Sequence, residues 1–291
     1  MPLTTTTDAN AAMAGSVPPA RKKSDLLVRV ATSVVLAPLA IWLVWAGGLP
    51  FLGLLLVVLA IGVHEWVSLS APKPLPLALF IFPALCLLAA VVALGLGQPV
   101  IALAAVVFPL IPLLMMARRA GCELPWLTAL GATYLGLSLI CLWWLRGGAD
   151  DGVGRGQLFF ILFTVWAVDS GAYFAGRAIG GPKLAPKFSP SKTWAGLFGG
   201  MAAAALIGFL WARFAGAVRP ELALVLGPVL AVIAQTGDIA ESALKRRFGA
   251  KDSGKIIPGH GGVLDRIDGL LLAVPAFTAF QFTLGKILNW W

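Results

Sequence analysis

The feature that most constrains the fold is a series of apolar segments, each about as long as a helix that crosses a bilayer. About 20 mainly apolar residues suffice for such a helix. Only 12% of the 291 residues are charged, against roughly 25% in soluble domains. We therefore predict an all-α, polytopic integral membrane bundle of about nine transmembrane helices, with eight to ten as the open range. The segments fall near 26–46, 50–70, 75–96, 99–117, 124–145, 157–178, 196–216, 221–240 and 269–289.

Lysine and arginine residues divide unevenly between the two ends of these segments. With the N-terminus in the cytoplasm, nine spans place most of them on the cytoplasmic side, which is typical of membrane proteins. The net charge of +9 then reflects orientation, and no basic, aromatic-rich face indicates nucleic-acid binding. We predict a disordered cytoplasmic tail at 1–25 and a single transmembrane domain at 26–291.

Carboxylates and cations crowd into the stretch 238–268, whereas the first five apolar segments carry few charges. The stretch contains five of the 13 carboxylates of the chain, which are Asp238, Glu241, Asp252, Asp265 and Asp268. It also contains the cations Lys245, Arg246, Arg247, Lys251, Lys255 and Arg266. A charge at the bilayer centre costs about 2.5–3.5 kcal/mol on insertion scales. So many charges together predict a wet pocket.

Three of these carboxylates suit a metal ion. Asp265 and Asp268 are three residues apart, so both point to the same face if they open the last helix. Asp238 lies at the cytoplasmic end of the preceding segment and can meet them across a helix pair. Convergent carboxylates are suited to Mg²⁺, which also binds substrate phosphates. The alternative is a salt-bridge network with the neighbouring cations Lys245, Arg246 and Arg266.

A glycine-rich run, PGHGG, lies between these carboxylates. Gly261 and Gly262 let the main chain approach a ligand closely and turn N–H groups toward an anion. For His260 we favour a contact with substrate, with structural hydrogen bonding and acid–base catalysis as the alternatives.

A second polar cluster precedes the first. Asp169 lies near the end of an apolar segment, where an ionisable residue predicts function. The loop after it ends in FSPSKTWAG, in which Ser189, Ser191, Lys192 and Thr193 offer donors just before a helix. That arrangement suits phosphate binding, and a capped loop that faces anionic headgroups is the alternative. The chain contains no GxxxxGK[ST] motif, so any nucleotide is bound by another design.

The charged stretch resembles the signature of phosphatidate cytidylyltransferases, also called CDP-diacylglycerol synthases. The matching positions are Ser242-x-Leu244-Lys245-Arg246, then Lys251-Asp252, then Pro258-x-His260-Gly261-Gly262-x-x-Asp265-Arg266-x-Asp268. The upstream segments DSGAYFAGR and SPSKTWAG also resemble that family. The similarity spans about 160–270, which we take as the catalytic part. The family commonly has Glu where this chain has Ala195, which leaves a catalytic contribution at that position in doubt.

The resemblance implies an integral membrane nucleotidyltransferase that joins CTP to phosphatidic acid, giving CDP-diacylglycerol and pyrophosphate with Mg²⁺. Asp238, Asp265 and Asp268 would hold the metal, with a second cation left open. The expected catalytic residues are these three with Lys245 and His260. The expected substrate-binding residues are Asp169, Ser189, Ser191, Lys192, Thr193, Arg246, Lys251, Asp252, Gly261, Gly262 and Arg266.

The expected setting is a bacterial-type inner membrane, with the active site facing the cytoplasm and membrane lipids around the bundle. The oligomeric state stays open, with a homodimer as one alternative. A CTP-dependent lipid kinase, a cytidylyltransferase for another lipid acid and an ion-coupled transporter of an anionic substrate are the competing functions.

Overall fold

The computed structural model describes residues 21–70, 76–147, 151–254, 256–257 and 261–291, and this part of the chain is mainly helical. Its helices are α1 (Arg21–Ala46), α2 (Gly48–Ser70), α3 (Ala78–Gly95), α4 (Pro99–Val107), α5 (Leu110–Arg119), α6 (Pro125–Gly147), α7 (Asp151–Ala178), α8 (Trp194–Phe214), α9 (Ala223–Arg247) and α10 (Leu264–Phe280). A hairpin of β1 (Lys183–Ala185) and β2 (Ser189–Thr193) precedes α8, a 3₁₀ turn (Pro220–Leu222) precedes α9, and a π turn (Gln281–Gly285) continues α10.

Eight segments of the described chain are long and apolar enough to cross a membrane. One of these segments contains both α4 and α5. The two helices are separated at Phe108 and Pro109, because proline lacks the N–H that a continuous helix needs. The predicted segment 26–46 falls in α1, whose described apolar part is Val34–Ala46. The prediction of an all-α, polytopic membrane protein is confirmed.

Helix α1 begins inside the predicted tail. The tail was expected to cover 1–25, whereas the helix begins at Arg21. Residues 1–20 lie outside the described residues, so disorder there stays a prediction. Of the predicted transmembrane domain 26–291, the described part forms helices in the predicted order.

The segment that was predicted to be a phosphate-binding loop is strand β2 of the hairpin. Strands β1 and β2 pair antiparallel, with Lys183 opposite Thr193 and Ala185 opposite Ser189. The Thr193 side chain then caps α8, because its Oγ1 accepts a hydrogen bond from the Gly196 N–H at 3.0 Å. A threonine cap of this kind stabilises a helix start by about 1 kcal/mol. Lys192 is therefore held immediately before α8.

Helices α7 and α8 approach each other through small residues. A Cβ atom built on Gly199 would lie 2.2 Å from Ala175 Cβ and 2.9 Å from the Gly171 carbonyl oxygen. Membrane helices pack closely at such small residues because little else drives their association. The contact fixes Asp169 on α7 relative to Lys192 at the start of α8.

The bundle end far from this hairpin is held by a buried arginine. Arg146, near the end of α6, donates from Nε to the Val44 carbonyl oxygen at 2.9 Å and from Nη2 to the Trp45 carbonyl oxygen at 3.0 Å. These carbonyls belong to the last turn of α1, where helical partners are lacking. This end of the bundle therefore has a structural role.

The three cysteines are free thiols. Cys122 and Cys141 are buried and Cys86 is half-buried. Burial raises the pKa of the Cys122 thiol, so this cysteine holds its proton at neutral pH and reacts slowly with thiol reagents.

We expect Gly199→Ala to lower the thermal stability of the detergent-solubilised protein, because overpacking a tight contact costs about 1–3 kcal/mol. Gly53→Ala in α2 is the matched control, since a Cβ atom there would meet nothing within 4 Å. Thermal unfolding monitored by circular dichroism measures the difference. A Gly199→Ala protein at least as stable as the Gly53→Ala protein would contradict the close approach of α7 and α8.

Candidate active site

Lys192 joins the hairpin to α9. Its Nζ donates to Gln235 Oε1 at 2.7 Å and forms a short ion pair with Asp238 Oδ2. Gln235 and Asp238 are three residues apart, so they lie on the same face of α9. The Ser242 hydroxyl lies 3.4 Å from the other Asp238 oxygen, Oδ1. The predicted residues Lys192 and Asp238 are therefore in direct contact.

A second lysine joins α9 to α10. The Lys245 Nζ lies 2.6 Å from Asp265 Oδ1 and 3.2 Å from Glu241 Oε1, and all three side chains are nearly buried. Burying a charge is costly unless it is paired and hydrogen-bonded. Lys245 is paired twice, whereas Glu241 Oε2 has no hydrogen-bond partner in the described part of the chain.

The Asp265 carboxylate also holds the loop between α9 and α10. Its Oδ2 accepts hydrogen bonds from the Ser253 N–H at 3.0 Å and the Gly262 N–H at 2.9 Å. Gly261 adopts a φ of 87°, a region that favours glycine. A Cβ atom there would lie 3.0 Å from Asp265 Oδ2. In this structure the Gly262 amide therefore binds a protein carboxylate, and its predicted contact with substrate stays a prediction.

Glu65 reaches the same loop from α2. The side chain is 1% exposed. Its Oε1 accepts from the Val263 N–H at 3.0 Å, and its Oε2 accepts from the Leu264 N–H at 2.9 Å and the Ser253 hydroxyl at 3.2 Å. A residue of the front half of the chain thus contacts the charged stretch directly.

An apolar cavity of about 430 Å³ opens beside these charges. Its walls come from α1, α2, α6, α7 and α10, and include Ile41, Leu55, Leu142, Val165 and Val274. At one part of its lining the surface becomes polar, where Asp169, Arg266 and Asp268 lie. The cavity therefore combines a long aliphatic surface with a charged rim.

The rim connects the two lysine clusters electrostatically. Asp169 interacts with the charges of Asp238, Lys192 and Arg266. Asp268 interacts with the charges of Asp238, Glu241 and Asp169. Asp268 Oδ1 also accepts from the Gly269 N–H at 2.7 Å. Residues that the sequence placed in two separate clusters thus form one charged region.

The remaining predicted residues lie around this region. Ser189 is half-buried and Thr193 is buried as the cap of α8, whereas Ser191, Lys251 and Asp252 are exposed. Arg246 is exposed as well, and its Nη1 donates to the Ala250 carbonyl oxygen at 3.2 Å. His260 lies outside the described residues, so its role stays a prediction.

In the described structure, the predicted ligands Asp238, Asp265 and Asp268 do not surround a common metal position. Within the ranges that the structure describes, no group of three or more His, Cys, Asp or Glu side chains is arranged to hold a metal ion. The physical reason is that Asp238 faces Lys192 and Asp265 faces Lys245. Of the ion-paired network that was left open as an alternative, Lys245 is paired as predicted, Arg246 donates to a backbone carbonyl instead, and Lys192 supplies a cation that the alternative did not include.

Three contributors were not among the predicted site residues: Glu65, Gln235 and Glu241. Glu65 is the sole carboxylate in the apolar segment 50–70, and Gln235 precedes Asp238 by three residues. Glu241 lies inside the charged stretch. A rule that treats every polar side chain in an apolar segment as a site candidate would have included the first two.

The chain is similar to known proteins over most of its length. A family model described as the cytidylyltransferase family matches residues 27–284. A phosphatidate cytidylyltransferase of Brucella suis biovar 1 is 41% identical over 261 residues, which is 88% of this chain and 93% of that protein. One of Bacillus subtilis is 33% identical over 259 residues, which is 86% of this chain and 96% of that protein.

A phosphatidate cytidylyltransferase of Haemophilus influenzae is 47% identical over a shorter stretch of 138 residues, or 46% of this chain and 48% of that protein. The family model and the two long matches each cover most of the chain, so they do not depend on the charged stretch alone. The resemblance seen in the sequence is confirmed, and the chain belongs to the cytidylyltransferase family.

Proposed function

We propose that this protein transfers CMP from CTP to phosphatidic acid, giving CDP-diacylglycerol and pyrophosphate in phospholipid biosynthesis. The observation that carries the proposal is the apolar cavity of about 430 Å³ with Asp169, Arg266 and Asp268 on its lining. Pockets of about 300–1,000 Å³ are typical of small-molecule sites. A site with an aliphatic interior and a charged rim suits a substrate that has acyl chains and a phosphate headgroup.

The nucleotide would enter from the water-exposed side of the charged region. Ser191, Arg246 and Lys251 are exposed there, and Lys192 interacts with the charge of Asp169 on the rim. Arg and Lys are the side chains that bind phosphates in proteins. The proposal therefore places the triphosphate near the hairpin and the loop after α9, with the lipid phosphate near Arg266.

The reaction requires no covalent intermediate on the protein. An oxygen of the phosphatidate phosphate forms a bond to the α-phosphorus of CTP. The bond between that phosphorus and the oxygen bridging to the β-phosphate breaks, and pyrophosphate leaves. Catalysis then consists of holding the two phosphates in line and neutralising their charge. Lys192 and Arg266 are the cations placed for this task.

We propose Mg²⁺ as the cofactor, because the carboxylates of the charged region are ligands of the kind that Mg²⁺ prefers. Carboxylates outnumber cations there, and the buried Glu241 Oε2 has no hydrogen-bond partner among the described residues. Mg²⁺ is usually held by one or two carboxylates together with substrate phosphates, so a closed cage of three is not required. When bound, Mg²⁺ would neutralise the charge of the triphosphate. Of the predicted ligands, Asp268 lies on the cavity lining and interacts with the charge of Asp238, whereas both oxygens of Asp265 already accept hydrogen bonds.

We propose a bacterial-type inner membrane, with this site at the cytoplasmic face. The site end of the described bundle carries Arg118, Arg119, Arg177, Lys183, Lys187, Lys192, Lys245, Arg246, Arg247, Lys251 and Arg266. The other end carries Arg146, Arg155, Arg213, Arg219 and Lys286. Cytoplasmic loops are richer in Lys and Arg, which supports this orientation. A homodimer stays a prediction.

The reaction is tested with purified protein in detergent, labelled CTP, phosphatidic acid and Mg²⁺, with and without a chelator. We expect a lipid-soluble cytidine product together with pyrophosphate, and we expect the chelator to abolish both. Transfer of a single phosphate without cytidine would move the function to a lipid kinase. The absence of any product from folded protein would overturn the proposal.

We expect Asp238→Asn and Asp268→Asn to lower the rate of CMP transfer by about 10²–10³-fold, the usual cost of losing a group that stabilises charge in an active site. A Mg²⁺ titration should also show that each variant needs more Mg²⁺ for half-maximal rate. Glu221→Gln is the matched control, because Glu221 is exposed in the 3₁₀ turn at the other end. Wild-type rates at the wild-type Mg²⁺ requirement would remove both residues from the proposed cation site.

The orientation is tested by single cysteines in a variant whose native cysteines are replaced by serine. We expect a membrane-impermeant thiol reagent to label Lys251→Cys from the cytoplasmic side and Val218→Cys from the opposite side, since both positions are exposed at opposite ends. Inverted and right-side-out vesicles separate the two cases. The reverse labelling pattern would overturn the orientation.

A further inference from the structure

The front half of the chain contributes one buried carboxylate to the charged region. Glu65 lies on α2 and is 1% exposed. Its partners are two backbone amides and one hydroxyl, all from the loop that leads into α10. These partners are 188 to 199 positions away in sequence. We propose that Glu65 is a positioning residue, which holds the start of α10 where the reaction proposed above requires it.

Glu65 caps α10 from another helix. The first N–H groups of a helix have no partner within it, and a negative charge there is also favoured by the helix dipole. Caps usually come from the local sequence, but Val263 stands at the N-cap position and its side chain makes no capping hydrogen bond. The Val263 and Leu264 amides bind Glu65 instead. The position of the α10 start is therefore set by α2.

The loop before α10 packs tightly around the Glu65 carboxylate. A Cβ atom built on Gly254 would lie 2.4 Å from Glu65 Oε1, and one built on Gly262 would lie 2.7 Å from Glu65 Oε2. Either side chain would displace the loop from the carboxylate. Both glycines are therefore needed for the contact with Glu65, because a larger residue at either position would occupy the space of the carboxylate.

Hydrogen bonds connect Glu65 to the predicted catalytic residues. Ser253 donates its hydroxyl to Glu65 and its N–H to Asp265, which in turn pairs with Lys245. Asp265 also directly follows Leu264, whose N–H binds Glu65. Asp268 follows on the same helix, at the rim of the cavity. A shift of the α10 start would move both aspartates, and a displacement of about 1 Å can cost about a hundredfold in rate.

The kinetic test compares Glu65→Ala and Glu65→Gln with His64→Gln, whose exposed side chain lies next to Glu65 on α2. We expect kcat for CMP transfer to fall by about a hundredfold in Glu65→Ala, with a smaller change in the KM values. Glu65→Gln keeps one acceptor oxygen and should retain more activity than Glu65→Ala. His64→Gln should keep the wild-type kcat. Equal kcat values in all four proteins would overturn the proposal.

Limited trypsin digestion supplies a measurement that does not depend on activity. Lys251 is exposed in the loop, and Arg119 is exposed at the end of α5. We expect faster cleavage after Lys251 in both Glu65 variants, with cleavage after Arg119 unchanged, and the wild-type pattern in His64→Gln. Equally faster cleavage at both sites would show a general loss of stability and overturn the positioning role. If the wild type transfers no CMP, the proposed function fails while this comparison still tests the contact.

Ser253→Ala provides a second variant in case Glu65→Ala does not yield monodisperse protein. It removes the hydroxyl that binds Glu65 and leaves the amide that binds Asp265. Because Glu65→Gln and Ser253→Ala affect one shared hydrogen bond, their effects on kcat should be less than additive in the double variant. Strict additivity would mean that the two residues act independently, which contradicts the proposal.

Discussion

The cost of burying charge in an apolar helix bundle determines how the ionic side chains at the site end are paired. The buried and half-buried ionic groups of the described network are mostly matched: Lys192 with Asp238, Lys245 with Asp265 and Glu241, and Glu65 with amides and a hydroxyl. Such pairs contribute little net stability but are costly to break. The network therefore joins the hairpin, α9, α10 and α2, because no member can move without exposing another charge.

The two ends of the bundle handle charge in different ways. At the far end, Arg146 binds the last carbonyls of α1 and fixes that corner. At the site end, carboxylates outnumber cations around Asp169, Asp238 and Asp268, and the buried Glu241 Oε2 is unpaired within the described chain. Unsatisfied groups of this kind cost stability. The far end therefore joins helix ends, whereas the site end also has the capacity to bind charged ligands.

The sequence predicts the helices and the location of the site, because both follow from local patterns. Apolar runs give the spans, and the charges at 238–268 mark the site end. It could not predict which groups pair, since Lys192 and Asp238 are 46 positions apart and Glu65 and Ser253 are 188 apart. Nor could the PGHGG run show that the Gly262 amide turns to Asp265, because donors that suit a phosphate also suit a protein carboxylate.

The cap that α2 supplies to α10 bears on how the chain can be divided. The motifs that resemble the family lie in the back half, at about 160–270. Such a pattern invites the view that the back half is a module and the front half an interchangeable anchor. However, α1 and α2 form walls of the cavity, and Glu65 completes the first turn of α10. A chimera that kept every signature residue but took its front helices from an unrelated membrane protein would lack a wall of its binding site and the cap of its last helix.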